Sequence, residues 1–373
     1  MSNVNSGSKP ANPTAKKSLV GRLLHSRLTF SVAILLVMLG LCSITIPNFF
    51  DVKIIEGVYY GRIPTILDEA GTLIIVTLGM TLVVAVSGGV DISVGAIMAI
   101  GASFCGLMLN GSEYRTEVFH SPLVLALFVG LLGGALCGAF NGFLVSGLKI
   151  QPMIATLVLF TAGRSIAKQI TFGQTIYIMN PVYKWLGVQI PGVPIRTTIL
   201  ISIVMIVIVV LFTKLTSFGL YVQSVGINGS SSRLVGLNSR VIKFMAFVIC
   251  GILAGMAGLV GASSLGSVNS GELGKGIEMD AILAVALGGN LLGGGKFSIA
   301  GSVIGAYTIQ TITTILYNIK VGGQNIPSQY VIVIKALIII VIIVANSDVF
   351  KEKIAKSARK VFNKNVTVGG SAQ

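Results

Sequence analysis

The chain has 373 residues, 53% of them hydrophobic and only 10% charged, with a mean hydropathy of +0.90. A soluble domain carries roughly a quarter charged residues, so this chain has too few to cover a water-facing surface, and an ordinary soluble enzyme is excluded. The net charge of +15 reflects 27 Lys and Arg against 12 Asp and Glu. These cations gather at the two ends and in short gaps between apolar runs, the pattern of membrane-protein loops. The bilayer is the expected partner, and nucleic acid is not.

Residues 1–27 form a polar tail containing Lys9, Lys16, Lys17, Arg22 and Arg27. No small-residue cleavage site follows the next apolar run, so a retained first helix is expected. Apolar stretches follow at 28–46, 66–86, 92–109, 123–148, 152–167, 197–215, 244–263, 281–292, 298–316 and 330–345. At about 20 residues per crossing, they predict an all-α, polytopic membrane bundle of about ten transmembrane helices, some of them broken. The expected organisation is a membrane domain at 28–349 between basic tails at 1–27 and 350–373.

With the N-terminus inside, the inward gaps hold Lys149, Lys214, Arg233, Arg240, Lys243 and Lys296, and the C-terminal tail adds Lys351, Lys353, Lys356, Arg359, Lys360 and Lys364. The outward gaps hold Lys53, Arg62, Arg115, Lys184, Arg196, Lys275 and Lys320, with Lys168 at their border, and most of the acids. This bias predicts both termini on the cytoplasmic side.

The 46 glycines cluster at Gly88-Gly89, Gly133-Gly134, Gly288-Gly289 and Gly293 to Gly295. Glycine in a membrane helix either lets backbones approach or permits a break, and a break must face protein or a wet cavity. Both readings stand for each pair. Gly88-Gly89 with Gly95 and Ile97 is echoed at one constant offset by Gly294-Gly295 with Gly301 and Val303, as in chains built from internal repeats.

Asp91 sits between two apolar runs. It either lines a polar passage, with Ser87 and Ser93 beside it, or caps the third helix; the cap is preferred, and the same choice is made for Asp280. Asn141, Gln151, Thr156 and Arg164 could line a hydrophilic path or bond neighbouring helices. A guanidinium as deep in a span as that of Arg164 requires an acceptor or water. Cys42, Cys105, Cys137 and Cys250 lie in apolar runs, and the only histidines are His25 and His120, so neither a disulfide framework nor a metal site is expected. The run Gly289 to Ser298 fails as a phosphate loop, because Phe297 follows Lys296 where Ser or Thr is needed. Any ATP dependence must come from another chain.

The longest inward gap, 216–243, keeps Leu220, Tyr221, Val225, Leu234, Val235 and Leu237 between glycine stops. A solvated linker seldom retains such residues. They suggest a small helix docked on a partner or packed back on the bundle.

Taken in order, several segments resemble the permease subunits of ribose-type and galactose-type ABC sugar importers. They are 78–83 with 87–95; 151–157 with Gly163-Arg164; 225–228 with 233–238; 278–285; and Gly293 to Lys296 with Gly301. The resemblance spans about 28–349 and is most similar to galactofuranose-type permeases. It implies a type II importer-like fold and a bacterial cytoplasmic (inner) membrane location. The implied partners are a second permease, identical or homologous, two ATPase subunits that use ATP and Mg, and an extracytoplasmic sugar-binding protein. No cofactor is implied in this chain. Gly226, Asn228, Arg233, Leu234, Gly236 and Leu237 would then form the coupling segment seated on the ATPase. Gly229-Ser230-Ser231-Ser232 departs from the usual pattern of that segment and leaves its helix length open. The alternatives are a secondary carrier or channel, motivated by Asp91, Arg164, Asp280 and Lys335, and a membrane-embedded enzyme.

Overall fold

The computed structural model describes residues 27–346 apart from 56, 112, 114, 322 and 323. The basic tails predicted at either end therefore lie outside the described residues, save residue 27. In chain order the helices are α1 (Arg27–Thr45), α2 (Arg62–Ser87), α3 (Val94–Asn110), α4 (Leu123–Gly142), α5 (Pro152–Ile170), α6 (Pro181–Lys184) and α7 (Thr197–Leu215), followed by α8 (Phe218–Ile227), α9 (Gly229–Leu234), α10 (Ser239–Leu265), α11 (Ile277–Leu287), α12 (Ile299–Asn318) and α13 (Ser328–Asn346). Each predicted apolar stretch falls on one of these helices. Among the described residues, α2, α4 with its extension to Gly147, α7, α10 and α12 are long and apolar enough to cross a membrane.

Local chemistry sets the boundaries. α2 stops where Gly88 turns left-handed (φ 65) and returns its N–H to Val84 O at 3.0 Å. α4 ends in one π turn, Phe143–Gly147, after which Pro152 opens α5 at a position where its missing N–H costs nothing. α10 starts beneath Asn238, whose Oδ1 accepts the amides of Arg240 (3.2 Å) and Val241 (3.3 Å). One boundary differs from expectation. The stretch predicted at 281–292 is helical at Ile277–Leu287, and the chain then loops to Ser298 because Gly289, Gly294 and Gly295 take left-handed φ values that no helix continues through.

The core is an apolar cluster centred on α2, with α10, α11 and α12 packed around it, and a seam of glycines holds α4 against α10 beside it. Gly130, Gly134 and Gly138 repeat every four residues and face Gly251 and Gly255, which do the same. A Cβ on Gly134 would lie 3.0 Å from the Gly255 Cα, and one on Gly251 would lie 2.8 Å from the Gly138 Cα. This is small-residue packing of membrane helices. Gly133-Gly134 is therefore a packing pair within an unbroken helix, whereas Gly88-Gly89 and Gly293 to Gly295 lie at true breaks.

Short strands, unforeseen from the sequence, gather at one end. β1 (Val52–Ile55) and β2 (Val58–Gly61) form an antiparallel hairpin. β3 (Arg115–Thr116), β4 (Ile176–Ile178) and β5 (Ser267–Val268) make a sheet that joins the ends of α3, α5 and α10. β6 (Lys320–Val321) and β7 (Gln324–Asn325) pair after α12. The helix breaks and the α8–α9 segment occupy the opposite end.

Replacing Gly134 with Leu should force α4 and α10 apart and lower stability in detergent by about 2 kcal/mol or more. Gly40→Ala, at a site with no atom within 4 Å of the added Cβ, should leave the melting temperature unchanged or slightly raised.

Candidate functional site

The two helix breaks meet. Gly295 N donates to Ala85 O at 2.8 Å. A Cβ on Gly88 would lie 2.8 Å from Gly293 O, and one on Gly294 would lie 3.1 Å from the Gly88 Cα. The two segments that echo each other in sequence are thus packed against one another.

Beside them, four of the predicted path residues form one buried clasp. Asp91 Oδ1 accepts from the Ser93 amide (2.9 Å) and from the Ser93 hydroxyl (2.6 Å). Ser93, not Asp91, holds the cap position of α3, so Asp91 braces the turn before the helix and does not cap it as expected. Asn141 Nδ2 reaches Asp91 Oδ2 at 3.5 Å and Ser93 Oγ at 2.8 Å. Thr156 Oγ1 accepts from Ile92 N at 3.2 Å and donates to Pro152 O at 3.0 Å. Asp91, Ser93, Asn141 and Thr156 are all buried, so in this conformation they tie the α2–α3 break to α4 and α5 and line no open passage. Ser87 and Gln151 lie apart from the clasp, at a recess nearer the α8–α9 segment.

Arg164 finds the acceptors it requires in the loop before α11: its Nη1 donates to Gly271 O at 3.2 Å and to Leu273 O at 3.1 Å. Glu278 lies within its field. The Glu278 carboxylate is buried, with Oε1 accepting from Gly276 N at 3.3 Å and Oε2 without a hydrogen-bond partner. It occupies the space that Gly95 leaves by lacking a Cβ. Asp280 departs from its predicted role. Gly276 holds the cap position of α11, while Asp280 lies within the first turn and binds Lys335 of α13, with Nζ 2.7 Å from Oδ1 and 2.9 Å from Oδ2. A carboxylate at that position meets an ammonium before it can reach the helix's first amides.

Asp280 also lines a cavity of about 370 Å3 at the strand end, with Asp68, Glu69, Thr72, Glu272, Lys275 and Gln310. Arg196 Nη1 holds Asp68 Oδ2 at 2.9 Å and lies over the Tyr60 ring. Asp68 Oδ1 is buried without a hydrogen-bond partner, since the nearby Thr198 hydroxyl donates to Gly187 O. Gln310 donates to Glu69, and Lys275 pairs with Glu272 at 3.0 Å. Carboxylates and an amide around an open space suit the hydroxyls of a polar, uncharged solute. Apart from Asp280 and Lys275, this set was invisible in the sequence, because the residues come from α2, the α10–α11 connection, α11 and α12.

At the other end, α8 runs under the meeting point of the breaks. A Cβ on Gly226 would overlap Ala85 O and lie 2.6 Å from Gly295 N, the two atoms that bond each other. Asn228 Oδ1 caps α9 by accepting from Ser230 N and Ser231 N, both at 3.0 Å. The glycine- and serine-rich start leaves α9 only 6 residues long. Leu234 and Val235 at its tip are 90% and 77% exposed. Gly236 turns left-handed (φ 86) with open space around it. Arg233 is exposed, whereas Leu237 packs against the core.

A helical bundle with paired breaks, buried polar clasps and a polar cavity at one end has the architecture of a membrane transport protein. The family described as branched-chain amino acid transport system / permease component matches residues 63–343, and the chain belongs to that permease family. It is 36% identical over 321 residues to the galactofuranose transporter permease of Escherichia coli (strain K12), covering 86% of this chain and 89% of the relative. The fructose import permease of Bifidobacterium longum (strain NCC 2705) is 34% identical, with 85% and 88% covered, and the ribose import permease of Escherichia coli (strain K12) is 31% identical, with 85% and 92% covered. No solved structure matches the chain. The protein is thus a membrane permease component and not itself an enzyme.

Lys335→Met should leave the Asp280 carboxylate unpaired and cost about 1–3 kcal/mol of stability, the range between exposed and buried ion pairs. The double variant Asp280→Asn, Lys335→Met should recover most of that loss. Denaturant unfolding of the wild type, Lys335→Met, Asp280→Asn and the double variant in detergent gives the coupling.

Proposed function

We propose that this chain is the membrane-spanning permease subunit of an ATP-driven sugar importer in a bacterial inner membrane, with both termini cytoplasmic. The sugar class follows from the relatives, which are permeases for galactofuranose, fructose and ribose. The orientation follows from the cation bias, which puts the strand end outside. On this reading the 370 Å3 cavity is the outer entrance for sugar delivered by a binding protein, and ATP and Mg are used by two ATPase subunits on the inner face.

One observation carries the coupling assignment. The α8–α9 segment is bare at one end, where Leu234 and Val235 stand in solvent, and clamped at the other, where Gly226 leaves no room against Ala85 and Gly295. A push on α9 is thereby delivered to the point where the two breaks hold each other. A second permease is supported by α5, which exposes Thr161, Ser165, Lys168 and Gln169 on a helix otherwise placed among apolar spans. Such a face is served by a partner subunit and a wet path better than by lipid. The secondary-carrier reading has less support, because Asp91, Arg164, Asp280 and Lys335 each have a partner within the chain.

The double variant Leu234→Asp, Val235→Asp should insert normally yet fail to retain the ATPase on affinity purification and lose sugar uptake by tenfold or more, as for loss of a central apolar anchor. Gly226→Val should keep the ATPase bound but uncouple hydrolysis from uptake. Sugar uptake by the isolated chain in liposomes, driven by a proton or sodium gradient, would overturn the reading.

A further inference from the structure

The end of the bundle that carries α8 and α9 also holds a recess of about 310 Å3. Four cations line it: Lys149 from the α4–α5 connection, Arg233 from α9, and Arg240 and Lys243 from the start of α10. The other polar lining comes from Ser87, Ser146, Gln151 and Ser239, with no carboxylate. Among the described residues none of the four cations takes part in a salt bridge. Cations drawn together around a concave site raise its potential and attract an anion.

The backbone also contributes. Lys149 is a non-glycine residue held at φ 59, a conformation that side chains with a Cβ seldom adopt. The π turn before it and the bond from Ile150 N to Leu144 O (3.1 Å) fix that bend and bring the lysine to the rim. Ammonium, guanidinium and hydroxyl donors together form a phosphate-binding set. The chain on either side of Lys149 and Pro152 is apolar and exposed at Leu148, Met153 and Ile154. A soluble phosphate has no use for such a flank, whereas a phospholipid does: its headgroup fills the basic recess and its chains lie along the apolar side chains. Basic pockets between membrane helices take anionic headgroups in this way.

We propose that this recess binds the phosphate of an anionic phospholipid, and that the bound lipid ties the α4–α5 connection to the coupling segment. The lipid then restrains α9 and tunes how a push on it reaches the breaks. The leaflet, and this effect on coupling, rest on the function proposed above; the binding itself does not.

The test is native mass spectrometry of the full chain in mild detergent, titrated separately with phosphatidylglycerol, phosphatidylcholine and inorganic phosphate. Phosphatidylglycerol should bind at least roughly tenfold more tightly than phosphatidylcholine and weaken as salt rises. The pair Lys149→Gln, Lys243→Gln should weaken it roughly tenfold, and Arg240→Gln alone, at an exposed position, roughly threefold, with melting in lipid-free detergent unchanged. Lys53→Gln at the strand end should have no effect. Equal binding of the two lipids, or no loss in any recess variant, overturns the proposal. Tight binding of inorganic phosphate with no preference for phosphatidylglycerol overturns the lipid and assigns the same phosphate chemistry to a soluble source. None of these readouts requires sugar or ATPase, so failure here is distinct from failure of the importer reading.

Discussion

A backbone that stops being helical inside an apolar bundle must find partners for its amides and carbonyls, because lipid offers none. Here two breaks solve the problem for each other. The amide of Gly295 takes Ala85 O, a carbonyl freed as α2 ends, and Gly88 and Gly293 approach so closely that a Cβ at Gly88 would strike the opposite backbone. The buried clasp of Asp91, Ser93, Asn141 and Thr156 then fixes one break to α4 and α5. Most of the remaining architecture, including the glycine seam of α4 and α10, holds the helices that carry these breaks at fixed separation.

The same economy governs charge. Arg164 is answered by the carbonyls of Gly271 and Leu273, Asp280 by Lys335, and Asp68 by Arg196. With these groups committed locally, a change of conformation is most readily driven from outside the bundle. In the function proposed above that drive enters through α8–α9, which combines an exposed apolar tip with a glycine pressed on the junction of the breaks. The basic recess borders the same segment, so its proposed lipid would act on the same moving part. The strand-end cavity, lined by acids and an amide drawn from four segments, lies at the far end of the helices that any such motion would tilt.

Much of the fold was legible because membrane helices announce themselves by composition. The ten apolar stretches fall on helices, and Thr197–Leu215 agrees to the residue. The 281–292 stretch was misplaced because apolar content cannot distinguish a helix from a glycine-rich loop that is equally free of charge. The strands were missed because pieces of two to four residues show no period. In the candidate site, Asp91, Asn141 and Thr156 stood out singly as polar residues in apolar runs, yet nothing in the sequence said that they touch. Asp68 and Glu69 lie at the start of one apolar run, Glu272 in the gap between two others and Gln310 inside a fourth, and nothing in the sequence joins them.

The sequence by itself determined that the chain is a polytopic helical membrane protein, where most of its long helices lie, and which permease family it resembles. These are properties of local composition and of ordered motifs. Only the tertiary structure decided which glycines pack and which break, that Asp280 serves an ion pair and not a cap, and that four cations from three segments share one recess. Those outcomes depend on contacts between residues far apart in the chain, and a pattern read along one dimension does not contain them.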